Sequence, residues 1–76
     1  SDSDRIEKLI RESTELLKEQ QKLAKRSREL AETVESLPLT EEYLKQQREH
    51  QKKIEKLLKD SEKHLEELKR LVKSEK

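Results

Sequence analysis

Residues 43–72 read YLKQQREHQKKIEKLLKDSEKHLEELKRLV, with apolar side chains returning at helical spacing. Set in columns seven apart, one column holds Gln47, Ile54, Ser61 and Leu68. A second holds Tyr43, His50, Leu57, His64 and Leu71, and a third Leu44, Gln51, Leu58, Leu65 and Val72. Together they fill a band about 100° wide on one helix face, the width of a surface packed against other helices. Gln47, His50, Gln51, Ser61 and His64 interrupt that band. A polar group in a helical seam lowers stability but can fix register and partner choice. The pattern points to a chain that assembles, and it names neither a reaction nor a ligand.

The first half of the chain carries the same periodicity. Its columns are Ile6, Ser13, Gln20, Ser27, Val34, then Leu9, Leu16, Leu23, Leu30, Leu37, then Ile10, Leu17, Ala24, Ala31. A seven-residue repeat held this long implies left-handed, coiled-coil-like packing. Between the halves, Pro38 cannot continue a helix and pushes Leu37 out of the α region. Thr40 is a credible N-cap, and Leu39 with Leu44 has the spacing of a hydrophobic staple. Ser3 or Asp4 has the character to cap the first helix. The spacing thus predicts a helix over about 4–36, a loop over about 37–40 and a helix over about 41–73, the short loop making them antiparallel neighbours.

Composition narrows the class. Charged residues make up 49% of the 76 and hydrophobic ones 28%, a balance that would signal disorder were the apolar residues not so regularly placed. Nineteen basic and 18 acidic residues leave a net charge of +1, which argues against a nucleic-acid surface or a polybasic membrane patch. No apolar run has the length of a membrane span, and without cysteine there is no disulfide or thiol chemistry. Gly, Met, Phe and Trp are absent as well, leaving an alphabet of strong helix formers. The lack of Met even at position 1 suggests a processed or trimmed N-terminus. No nucleophile–base pair, Gly-rich phosphate loop or metal-ligand spacing is present, so neither an enzyme nor a cofactor-binding protein is expected.

Two helices alone leave a three-column stripe half exposed, whereas two such hairpins cover it on all four helices. The expected architecture is therefore all-α: an antiparallel helical hairpin assembling into a coiled-coil-like four-helix bundle. A homodimer ranks first and a trimer second. Leu9, Leu16, Leu23, Leu30, Ile54, Leu57, Leu58, Leu65 and Leu68 are the candidate oligomer-interface residues.

Folding the hairpin levels Ser27 with Gln51, Ser13 with Leu65 and Gln20 with Leu58. Ser27, Gln47, His50 and Gln51 then gather into one polar layer and Ser13, Ser61 and His64 into another, with Gln20 between them. Left unpaired in a core, they would cost about 1–3 kcal/mol each. That is comparable to the whole stability of a domain, about 5–15 kcal/mol. If buried they must bond one another, as Ser, Gln and neutral His are equipped to do. The histidine column flanks the stripe, so the plain reading of His50 and His64 is a bonded or half-exposed imidazole. A sharper one is a pH switch, in which acid puts charge into the seam. Lying about 21 Å apart along the axis, the two cannot chelate one ion within a chain. Tyr43 reads as an amphipathic cap on the end layer.

The whole chain resembles computationally designed helical-hairpin oligomers with buried hydrogen-bond networks. The resemblance rests on the Leu9/Leu16/Leu23/Leu30/Leu37 column, the Ser, Gln and His residues in core columns, the Gly-free linker 37–40 and the Glu/Lys-rich surfaces. It implies a soluble recombinant protein whose partner is a second copy of itself or a matched designed chain. No nucleic acid, membrane or small-molecule partner is implied. A natural coiled-coil adaptor hairpin is the remaining alternative.

Overall fold

The computed structural model describes residues 1–36 and 40–74. The described residues form two helices, α1 (Asp2–Ser36) and α2 (Glu41–Ser74), packed side by side as an antiparallel hairpin. At 1.5 Å per residue each is about 50 Å long. The molecule measures 56 × 15 × 15 Å.

Both helices start on a hydroxyl. Ser1 Oγ accepts from Asp4 N at 3.3 Å and donates to Asp4 Oδ2 at 3.0 Å, so Ser1, not Ser3 or Asp4, is the cap. Because the reciprocal pair satisfies the first turn, α1 opens two residues earlier than the spacing suggests. At α2, Thr40 Oγ1 accepts from Tyr43 N at 3.1 Å, and Glu41 and Glu42 sit in the positive first turn. The expected break at Pro38 and the Leu39–Leu44 staple involve residues outside those described.

The helices meet along one edge of each stripe. From α1 come Leu9, Leu23 and Leu30, all buried, with Leu16 half-buried between them. From α2 come Tyr43, His50 and His64, also buried, with Leu57 and Leu71 half-buried. The central column of α2 (Gln47, Ile54, Ser61 and Leu68) is half-buried throughout. The outer columns, Ile10, Leu17, Ala24, Ala31 on α1 and Leu44, Gln51, Leu58, Leu65, Val72 on α2, face outward. Among the described residues no helix is long and apolar enough to cross a membrane.

Candidate functional site

Two features bear on function: a polar ladder inside the hairpin, and the apolar face beside it.

The ladder has two matching rungs. Ser13 Oγ lies 2.6 Å from His64 Nε2, and Ser27 Oγ lies 2.7 Å from His50 Nε2. Serines and histidines are each fourteen residues apart, two heptads, so antiparallel helices bring both pairs level together. The register differs by one residue from the expected one, and that single step replaces Leu65 by His64 opposite Ser13. His50 and His64 are therefore not at the flank of the contact. They stand in the seam itself, because the hairpin closes along the histidine edge of the α2 stripe.

The rungs differ at Nδ1. That of His64 lies 3.1 Å from Glu12 Oε2. A carboxylate only accepts, so Nδ1 carries the hydrogen, and in the neutral ring Nε2 accepts from Ser13. The bond from His64 is the main reason the Glu12 carboxyl is held below its usual range, with Glu67 and Lys8 adding smaller contributions and burial opposing. Nδ1 of His50 is buried with no hydrogen-bond partner among the described residues.

Next to the second rung, near the start of α2, Tyr43 is buried. Its hydroxyl donates to the Leu30 carbonyl at 3.3 Å and accepts from Gln47 Nε2. Arg26 reaches Gln46 Oε1 at 3.2 Å along the groove rim.

Glu12, His64 and Glu67 bring two carboxylates and one imidazole together, their ligand atoms all within 4.8 Å of one another. Among the described residues these three could approach a divalent cation together, and an ion there would have to displace the proton on Nδ1. Glu12 and Glu67 lie outside the apolar columns, in the columns flanking the seam, so column reading alone passes over them. Their signal is positional: Glu12 precedes Ser13 by one residue, and Glu67 follows His64 by one helical turn.

The other polar candidates are distributed differently. Ser61 is half-buried, while Gln20 and Gln51 are exposed on the single hairpin, as are the Ser13 and Ser27 residues themselves. The nine interface candidates divide too. Leu9, Leu23 and Leu30 are buried against the chain's own α2, and Leu16, Ile54, Leu57 and Leu68 are half-buried. Leu58 and Leu65 are exposed.

They are not alone. Ile6, Ile10, Leu17, Val34, Leu44, Leu58, Leu65 and Val72 keep between 38% and 60% of their surface exposed. Most belong to the outer columns of the two stripes, and Ile6 and Val34 are the apolar ends of the column that holds Ser13 and Ser27, so together they form one long face spanning α1 and α2. Gln20 and Gln51 lie within it, and the Ser13 and Ser27 hydroxyls border it from the ladder side. No family model, curated protein or solved structure matches this chain.

Proposed function

We propose that this chain is a non-catalytic assembly module, of designed type, whose hairpin pairs with a second copy to form a four-helix bundle. Polar groups in the seams set the pairing. The observation that carries this reading is the open apolar face. Large apolar side chains on a monomer are ordinary when scattered, but a contiguous face marks an interaction surface.

Magnitudes favour an interface over a mere rim. The hairpin exposes 6571 Å², against roughly 4,900 Å² for a compact monomer of its 9.1 kDa mass. The excess is well above the roughly 800 Å² that each partner gives to a standard interface. A radius of gyration of 17.3 Å, against about 11 Å for a compact 76-residue domain, makes the same point. A net charge of +1 adds little repulsion between copies.

Sedimentation equilibrium of the chain alone, over a wide concentration range, tests the reading. A single species at twice the chain mass supports it; a monomer sinks it. A second reading, half of a heterodimer, is favoured by one feature of the open face, the lone Gln51 among Leu44, Leu58, Leu65 and Val72. A monomer that becomes helical and dimeric only on mixing with a matched chain would select that reading.

A further inference from the structure

We infer that the second copy docks antiparallel, α1 against α1, about a two-fold axis that passes beside Gln20. This rests on the self-assembly reading and adds which residues meet.

Two columns of α1 carry it. The column bordering the ladder runs Ile6, Ser13, Gln20, Ser27, Val34: apolar, hydroxyl, amide, hydroxyl, apolar. It reads the same in both directions. Reversal about Gln20 sets Ile6 against Val34, Ser13 against Ser27 and Gln20 against itself. The next open column runs Ile10, Leu17, Ala24, Ala31. The same reversal brings Ile10 to within one residue of Ala31 and Leu17 to within one residue of Ala24, so each large side chain meets a small one. Interlocking of that kind is what close packing of facing helices requires. Parallel docking of α1 on α1 would instead crowd Ile10 and Leu17 at one end and leave the alanines facing each other at the other.

The ladder supplies the chemistry. Ser13 and Ser27 are each held from behind by an imidazole, at 2.6 and 2.7 Å. A hydroxyl has one donor and two acceptor sites, so a bond to the ring leaves capacity at the open face. In the antiparallel dimer each Ser13 faces the Ser27 of the other copy, joining the two rungs into a chain of His64, Ser13, Ser27 and His50 across the interface. At the axis the Gln20 amides can exchange donor and acceptor. Both ends of such an isologous contact are satisfied by the same residues.

On α2 the two rungs place the axis level with Leu57, midway between His50 and His64. The nearest column partner of Leu44 is then Val72 and that of Leu58 its own copy, each about 3 Å from level. Gln51 meets Leu65, the one step out of pattern.

Spin labels on single cysteines test the orientation, since the chain has none of its own. Lys8→Cys and Lys22→Cys share a column that points away from the open face, and both positions are exposed. In the antiparallel dimer their axial separations between copies are about 36 Å at position 8 and about 6 Å at position 22. The label–label distance measured by pulsed electron resonance must then fall steeply from position 8 to position 22. Equal distances at the two positions would overturn the orientation while leaving the dimer intact. Sedimentation of the same labelled samples separates the two failures, because any mass other than the dimer's removes the reading beneath.

Discussion

The hydroxyl of Ser27 lies 2.7 Å from Nε2 of His50. Ser13 repeats that contact with His64 fourteen residues away on both helices. The repeat fails one atom further on, where His64 has Glu12 and His50 has nothing. The residue related to Glu12 by the same two heptads is Arg26. A guanidinium has five donors and no acceptor, and here it is turned to Gln46 and Glu29. One rung is complete and the other is left open by a single side chain.

Arg26→Glu should therefore close the second rung. The new carboxylate would stand to His50 as Glu12 stands to His64. A buried ring nitrogen without a partner costs about 1–3 kcal/mol, and the lost rim contacts of Arg26 are worth only a few tenths. Urea unfolding should show a net gain of about 1 kcal/mol. A loss of stability would mean that Nδ1 of His50 is satisfied by some group other than the chain's own.

Removing the hydroxyl alone should hurt more than removing the pair. Ser27→Ala leaves Nε2 of His50 buried and unbonded, at a cost of about 1–3 kcal/mol, whereas replacing both partners with apolar groups can be nearly neutral. The double variant Ser27→Ala, His50→Leu should recover most of the loss. A double-mutant cycle with no coupling between the two positions would dissolve the rung.

Much of this arrangement is legible in the sequence, and the illegible part has a physical reason. The leucines at strict seven-residue spacing and the Thr40 cap lead directly to α1 and α2. Levelling the helices brings Ser13 to within one residue of His64. The choice of edge on α2 does not follow, because its most apolar column, Leu44, Gln51, Leu58, Leu65 and Val72, is not the one that the hairpin contact uses. The histidine edge closes, and Leu58 and Leu65 on the far edge stay open. The bonds from Tyr43 to the Leu30 carbonyl and from His64 to Glu12 also escape column reading. One ends on the backbone, and the other ends on a charged side chain outside the stripe.

Glu12 gives the first rung a pH signature. Its carboxyl is held below the ordinary value of 4.5 mainly by the bond from His64 on α2, helped by Glu67 on α2 and Lys8 on its own helix. As acid is added, the unfolded chain takes up this proton before the folded one does. The contribution of Glu12 is therefore complete above the ordinary carboxylate value and is lost as pH falls through the depressed one. The stability gap between the unmodified chain and Glu12→Gln, measured at about pH 5, should shrink steadily below 4.5. A gap of the same size at about pH 2 would show that the carboxylate is not engaged.

The open face offers the sharpest contrast, because two substitutions one heptad apart in the same column should act in opposite directions. Leu58 is among its most exposed apolar residues, at 58%, and meets its own copy in the antiparallel dimer. Burial of one leucine is worth about 1.5–3 kcal/mol, so losing it in both copies costs about 3–6 kcal/mol. Leu58→Glu should weaken association by at least about 100-fold, since each 1.4 kcal/mol is a factor of ten, before the repulsion of facing carboxylates is counted. Gln51, one heptad earlier in that column, is the position where an amide faces Leu65. Gln51→Leu exchanges a desolvated amide for an apolar contact in both copies and should tighten association by about 10-fold or more. Both positions are exposed in the hairpin, so neither substitution removes a contact within the chain's own seam. Sedimentation equilibrium over a dilution series reads both constants. If Leu58→Glu left association unchanged, the open face would not be the interface. If Gln51→Leu weakened it, Gln51 would be bonding a polar group across the contact, and the partner would be a matched chain, not a second copy.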